Sequence, residues 1–204
     1  MEIKDTYKTI EYETEEILFK EKNSKFFGYA FPVNNEQEAK HHIELLRKKH
    51  HSARHWCFAY QIGTEKTIFR ANDDGEPSNS AGMPIYGQIQ SFELTNILVV
   101  IVRYFGGTKL GVGGLISAYK TAAQLTLESA SITEKTIDSY FSISFDYKDL
   151  NKVMRIIKEK KLTIVNQKME MNCIIEISIR KKDAAQIFEV FNSLFGIEIK
   201  EIEI

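Results

Sequence analysis

The C-terminal fold is decided by the stretch YFSISFDYKDLNKVMRIIKEK, residues 140–160. Alternating apolar residues over 140–147 predict a strand, and apolar residues three and four apart between Leu150 and Ile157 predict a helix over 150–160. The same two periods then predict strands over 162–171 and 173–179, a helix over 184–194 and a last strand over 197–204. This order, β-α-β-β-α-β, is that of the ferredoxin-like domains.

The pattern changes between Glu134 and Asp138, so we expect two domains, residues 1–135 and residues 136–204. Both contain helices and strands, which makes the fold class α+β. In the first domain, the apolar periods predict strands over 9–13, 17–21, 26–32, 55–61, 67–70 and 96–105. Helices are expected over 36–49, from a cap at Ser80 through Gln90, and over 113–129.

Charge and cysteine usage exclude several classes of protein. The formal net charge is −1, with 27 Lys and Arg against 28 Asp and Glu, so the whole molecule does not attract nucleic acid or an anionic membrane. Cys57 and Cys173 stand far apart without a CxxC pair, which predicts reduced thiols buried in strands. No apolar signal segment opens the sequence, and its longest apolar run, 97–102, is too short for a membrane span. We therefore expect a soluble cytoplasmic protein with no membrane contact.

The stretch RYFGGTKLGVGG, residues 103–114, follows an apolar strand and precedes a helix. We call it the glycine stretch. It is not a Walker loop, because Val112 and Gly113 occupy the places of Lys and Ser/Thr. Nor is it a dinucleotide-binding loop, because Ile116 stands where the third glycine belongs. The remaining hypothesis is an anion site formed by loop amides, nearby cations and the positive end of the helix. The alternative is that the glycines only allow turns and tight packing.

The stretch NDDGEPSNSAGMP, residues 72–84, places Asp73, Asp74 and Glu76 within four positions. We call it the acidic loop. Three neighbouring carboxylates could hold magnesium or act as a general base. The alternative, which the turn-rich composition favours, is a turn whose acids face water.

All five histidines lie between residues 41 and 55. His51, His55 and Cys57 could be imagined as metal ligands, but the helix-to-strand transition between them need not put both rings on one face. A helix end whose histidines interact with its C-terminal dipole accounts for most of them. We assign no metal site and no cofactor.

Together, HSARHWCFAY (51–60), DDGEPSNSAGMPI (73–85) and VVIVRYFGGTKLGVGGLISAY (99–119) resemble the IMPACT family and its bacterial, YigZ-like branch. The match covers roughly residues 15–130. It implies that the first domain has the fold of the second domain of ribosomal protein S-five, shared with the fourth domain of elongation factor G. The second domain then resembles that factor's fifth. Relatives usually carry a basic residue where Met83 stands, and often Arg where Ser117 stands.

Three functions follow as hypotheses. The leading one is a non-enzymatic RNA- or ribosome-associated translation regulator that binds polyanion through the glycine stretch, with Tyr104, Phe105 or Trp56 stacking on bases. The second is a magnesium-dependent enzyme acting on a small phosphorylated ligand through Asp73, Asp74 and Glu76. The third is a protein-interaction module, in which a partner contacts both loops. The oligomeric state is left open. The expected binding residues are Arg103, Tyr104, Gly106, Gly107, Lys109, Gly111, Gly113, Gly114, Lys120, Asp73, Asp74, Glu76, His51 and His55.

Overall fold

The computed structural model describes residues 5–202, which divide into two compact units. One unit consists of residues 7–135, and the other of residues 136–202 together with Asp5 and Thr6. Each has its own hydrophobic core. The chain has the α+β fold class that the sequence predicts.

The first unit is built on a five-stranded antiparallel sheet. Its strands are β2 (Ile17–Glu21), β3 (Ser24–Pro32), β4 (His55–Ile62), β5 (Ile68–Asn72) and β6 (Ile97–Tyr104), in the order β2-β3-β6-β4-β5. Its helices are α1 (Glu36–Lys49), α2 (Gly82–Ser91) and α3 (Gly111–Glu128). A separate two-stranded sheet joins β1 (Thr6–Ile10) to β7 (Ile132–Thr136). The predicted 9–13 strand therefore begins earlier than expected, and β7 was not expected.

Both faces of this sheet are covered, as the central strand β6 shows. Residues 97–102 are all buried, because successive side chains of a strand point to opposite faces. Leu98, Val100 and Val102 pack on the α1 side, whereas Ile97, Val99 and Ile101 join the core formed with α2 and α3. A continuous apolar run is typical of a strand covered on both faces.

Helix α1 has the bounds that the sequence predicts. The Asn35 side chain accepts a hydrogen bond from the Glu38 amide at 2.9 Å, and the Glu38 carboxylate accepts one from the Asn34 amide at 2.8 Å. These reciprocal bonds satisfy amides that have no partner at the start of a helix. Ala39, Ile43 and Leu46 form the buried side.

The second unit has the predicted β-α-β-β-α-β order. Its strands form one antiparallel sheet in the order β11-β8-β10-β9, and its core includes Ile143, Ile175 and Phe191. The final two residues of the predicted 197–204 strand lie outside the described residues. The elements are β8 (Asp138–Asp146), α4 (Leu150–Glu159), β9 (Thr163–Lys168), β10 (Asn172–Arg180), α5 (Lys181–Asn192) and β11 (Ile197–Ile202).

Cys57 in β4 and Cys173 in β10 are both free and buried, as the sequence predicts. No helix within residues 5–202 combines the length and apolar composition needed to cross a membrane.

Candidate functional site

Asp73 caps helix α2. Its carboxylate accepts hydrogen bonds from the amides of Ala81 and Gly82 at 2.9 and 2.8 Å, and from the Asn79 amide at 2.8 Å. A negative group at this position interacts favourably with the helix dipole. The expectation that Ser80 caps this helix is wrong, since its hydroxyl donates to the Pro77 carbonyl at 2.6 Å. The Asp73 carboxylate reaches the helix amides from eight and nine positions earlier in the chain.

Replacing Asp73 with Ala is expected to lower the free energy of unfolding by about 1–2 kcal/mol, because the amides at the start of α2 lose their acceptor. Asp73→Asn keeps one carbonyl oxygen and should cost less. Urea denaturation followed by tryptophan fluorescence measures both. An Asp73→Ala protein as stable as the wild type would contradict the capping role.

Asp74 is also bound to protein groups. One carboxylate oxygen lies 2.6 Å from the Arg47 guanidinium, and the other accepts a hydrogen bond from the Trp56 amide at 2.8 Å. Its carbonyl accepts a bond from His55 Nδ1 at 2.9 Å. The Arg47 guanidinium lies 4.7 Å from the centroid of the Trp56 ring. It therefore occupies one face of a ring that was one of three candidates for stacking on bases. His51 is exposed.

Glu76 and Arg103 form a buried ion pair. A carboxylate oxygen and a guanidinium nitrogen lie 2.6 Å apart, and the side chains are only 5% and 6% exposed. The Tyr119 hydroxyl donates to the same Glu76 oxygen at 2.9 Å and accepts a bond from the Cys57 thiol at 3.2 Å. Burial raises the pKa of the Tyr119 hydroxyl and of the Cys57 thiol, so both groups stay protonated and act as neutral donors.

The acidic loop and the glycine stretch are thus joined through Glu76 and Arg103. The expectation that the three acids face water is wrong, because each accepts hydrogen bonds from groups brought close by the fold. No group of three or more His, Cys, Asp or Glu within residues 5–202 is arranged to hold a metal ion.

The first two residues of the glycine stretch point inward. Arg103 is committed to Glu76, and the Tyr104 hydroxyl lies 3.0 Å from His50 Nδ1. Tyr104 also packs edge-on against Phe27. His50 itself is buried, although the sequence indicated a surface helix end, because its ring lies between the hydroxyls of Tyr29 and Tyr104. This burial lowers the pKa of His50.

The rest of the stretch opens toward solvent. Residues 107–109 and 111–113 are exposed, and helix α3 begins at Gly111 with an N-cap residue, Leu110, that makes no side-chain capping hydrogen bond. Gly107 and Gly111 have φ of +88° and +72°, a region in which glycine is favoured. Gly106 has a different role, since a Cβ there would lie 2.0 Å from the backbone of Asn23.

Two cations and three apolar side chains are exposed between Phe105 and Lys120, before and along the first half of helix α3. Lys109 and Lys120 are exposed and make no ion pair with another residue between positions 5 and 202. Phe105, Val112 and Ile116 are 49%, 52% and 40% exposed. Val112 and Ile116 were missed as candidates, although their four-residue spacing puts them on one side of the helix. We call this set the α3 surface: Phe105, Gly107, Lys109, Gly111, Val112, Gly113, Ile116 and Lys120.

Comparison with known proteins finds relatives that match most of this chain. Residues 22–127 match the Impact N-terminal domain. The IMPACT family member YvyE of Bacillus subtilis is 34% identical over 183 residues, which span 89% of this chain and 84% of that protein. YigZ of Escherichia coli is 27% identical over 167 residues, 81% of this chain and 82% of that protein. A crystal structure of a hypothetical protein, 24% identical, has a TM-score of 0.74 over 98% of this chain and 99% of its own, and so shares the fold.

Proposed function

The chain belongs to the IMPACT family, and from that premise we propose that it is a non-enzymatic, RNA- or ribosome-associated translation regulator. The α3 surface carries this proposal. It combines an exposed, uncapped helix start with an exposed aromatic ring and two lysines that have no ion-pair partner within residues 5–202.

The helix start supplies the attraction. The first amides of a helix have no partner within it, and together with the helix dipole they favour a negative ligand. Lys109 stands two residues before the first residue of the helix and adds a full charge. The nearby acidic loop opposes this little, since Asp74 is paired with Arg47 and Glu76 with Arg103.

The spacing of the cations favours a chain of phosphates over a single one. Lys120 follows Gly111 by nine residues, which is roughly 13 Å along the helix. One small phosphate group cannot contact both ends of that distance, whereas successive phosphates of an RNA strand can. Phe105 is 49% exposed, although the Arg103 guanidinium lies 5.7 Å from its ring centroid. Its exposed part can contact an unpaired base, a contact that suits single-stranded nucleic acid.

The alternative of a magnesium-dependent enzyme finds no support in the acidic loop. The three carboxylates bind backbone amides, Arg47, Arg103 and Tyr119 instead of converging on an open pocket. The buried Cys57 thiol has a raised pKa, which is the opposite of an activated nucleophile.

Binding to RNA is expected to weaken with salt, and Lys109→Ala and Lys120→Ala should each reduce the salt slope by about 0.7, the contribution of one phosphate contact on a single strand. Fluorescence anisotropy with a labelled single-stranded RNA, repeated over a series of KCl concentrations, measures the slope. Each substitution should lower the affinity by about the same factor for every RNA sequence, because phosphate contacts carry no sequence information.

Lys66→Ala is the matched control. Lys66 is an exposed lysine in the turn between β4 and β5, beside the Ile97 end of β6, whereas the glycine stretch follows the Tyr104 end. The proposal fails if affinity is independent of salt, or if Lys66→Ala reduces the slope as much as Lys109→Ala does.

A further inference from the structure

A pocket with a cavity volume of about 230 Å³ lies between strand β2 and the N-terminal part of helix α3. Pockets that enclose drug-sized ligands have roughly 300–1,000 Å³, so this smaller one suits a single ring system. Strand β2 is the first in the sheet order, which places the pocket at the border of the sheet. We call it the β2–α3 pocket, and its lining includes Phe19, Glu21, Lys22, Leu110, Ser117 and Thr121.

The pocket adjoins the α3 surface. Lys22 lies in the turn between β2 and β3, and the Gly106 amide of the glycine stretch donates to the Ser24 hydroxyl at 3.2 Å directly after this turn. On helix α3, Ser117 lines the pocket and Lys120 follows it by three residues, a spacing that makes two side chains neighbours on a helix. A base of an RNA strand bound at Lys120 is therefore within reach of the pocket.

Four polar side chains in the pocket have no protein partner. Within residues 5–202, no hydrogen bond or ion pair engages the side chains of Glu21, Lys22, Ser117 and Thr121. The first and last of these are half-buried, and the other two are exposed. Apolar surface comes from side chains that also pack against the core formed with α2 and α3, namely Phe19 and Leu110. Apolar walls with a few unpaired polar groups are typical of a site that binds and orients a small ligand.

The Glu21 carboxylate is the acceptor of this pocket. Residues two apart on a strand point to the same face of a sheet, and Phe19 packs on the α3 face. An ionised carboxylate only accepts hydrogen bonds, and it presents two oxygens side by side. Among the four RNA bases, only guanine has two neighbouring donors on its Watson–Crick edge, N1–H and the 2-amino group. Its O6 atom lies beside them, where the Lys22 ammonium or a hydroxyl can donate to it.

The charges around the pocket favour a nucleotide over a cationic side chain of a partner protein. Among residues 5–202, Glu21 is the only acid that lines the pocket. Lys22 belongs to the same lining, and Lys120 lies beside Ser117. The excess of positive charge attracts a phosphate group and repels an arginine or lysine side chain that would otherwise pair with the carboxylate. A base attached to a phosphate backbone satisfies both requirements.

On the premise of the RNA binding proposed above, we propose that the β2–α3 pocket binds one unpaired guanine of the RNA strand. The Glu21 carboxylate accepts hydrogen bonds from N1–H and from the 2-amino group, and the ring packs against Phe19 and Leu110. Unpaired bases of single-stranded RNA are commonly recognised by their Watson–Crick edge and a ring face. The lysines of the α3 surface then supply affinity for any sequence, and the pocket supplies a preference for guanine.

Base preference is measured by fluorescence anisotropy with labelled RNAs of about ten nucleotides that are uridine at every position except a central one. Guanosine at that position should bind at least about fivefold more tightly than adenosine, cytidine or uridine, the lower end of the discrimination that a bidentate contact gives. Inosine lacks the 2-amino group, so it should bind at least about threefold more weakly than guanosine through the loss of one hydrogen bond.

Two variants test the residues of the pocket. Glu21→Ala removes the acceptor, so the preference for guanosine should disappear while the affinity for the all-uridine RNA does not fall. Ser117→Leu fills the pocket from an exposed helix position and should also remove the preference. Glu15→Ala, at an exposed glutamate before the other end of β2, is the matched control and should keep it. Lys109→Ala should weaken all the RNAs by the same factor.

The pocket proposal is overturned if the four bases bind alike, if inosine binds as tightly as guanosine, or if Glu21→Ala keeps the preference. It is also overturned if Glu15→Ala loses the preference as Glu21→Ala does. In each of these cases, RNA binding that still weakens with salt and depends on Lys109 would leave the proposed function intact. If no RNA binds in a salt-dependent manner, the proposed function fails and the guanine site fails with it.

Discussion

Glu76→Gln is expected to lower the free energy of unfolding by about 3–5 kcal/mol, because it leaves the Arg103 charge buried without its counter-ion. The guanidinium is shielded from water, since its side chain is only 6% exposed and its carbon lies 5.5 Å from the Phe26 ring centroid. The Tyr119 hydroxyl would keep an amide oxygen as its acceptor, so the effect isolates the charge. Urea denaturation followed by the fluorescence of the single tryptophan measures it.

Two further variants make this prediction specific. Glu76→Gln combined with Arg103→Met removes both charges, and should be more stable than Glu76→Gln alone, because a buried pair is often replaced by apolar groups at little cost. Glu15→Gln changes an exposed glutamate and should stay within about 0.5 kcal/mol of the wild type. A Glu76→Gln protein as stable as Glu15→Gln would show that the pair is not a source of stability.

Gly106→Ala should destabilise the first unit by about 3 kcal/mol or more, at the upper end of the cost of overpacking. The added Cβ would lie 2.0 Å from the carbonyl carbon of Asn23 and 2.3 Å from the amide nitrogen of Ser24. Both are backbone atoms, so relief requires moving either the β2–β3 turn or the glycine stretch. Thermal or urea unfolding measures the loss.

Gly113→Ala is the matched control within the same stretch. A Cβ at Gly113 meets no atom within 4 Å, and the φ of Gly113 is not positive. The substitution should therefore stabilise the protein by about 0.4–1 kcal/mol, because alanine lowers the conformational entropy of the unfolded chain. Equal effects of the two substitutions would mean that the contact of Gly106 with the β2–β3 turn does not constrain the loop.

The local sequence pattern was sufficient to predict much of the fold. The bounds of α1 follow from its cap at Asn35 and from the spacing of Ile43 and Leu46. Strand β6 follows from its unbroken apolar run, and the second unit from two clear periods. Strand β7 could not be found this way, because four of its five residues are exposed and none is fully buried, which leaves no apolar alternation to detect.

The site was harder to predict because its contacts are distant in sequence. Glu76 meets Arg103 across 27 positions and Tyr119 across 43, so the composition around Asp-Gly-Glu-Pro indicated only a solvated turn. Exposed glycines around the start of α3 were expected from the sequence, but the inward direction of the Arg103 and Tyr104 side chains was not. Both faces of β6 are covered, so the burial of Arg103 and Tyr104 depends on Glu76 and His50, which the fold brings to the end of this strand from distant positions in the sequence.

The rates at which the two cysteines are alkylated can report local opening of the structure. Cys57 is in one unit and Cys173 is in the other, and both are 0% exposed. An alkylating reagent can modify either thiol only when the surrounding structure opens, so the rate at each position reflects the stability of its own unit. Mass spectrometry of the two peptides would follow both processes in one unsubstituted sample, and the thiol that touches Tyr119 would register any loosening around the Glu76 carboxylate.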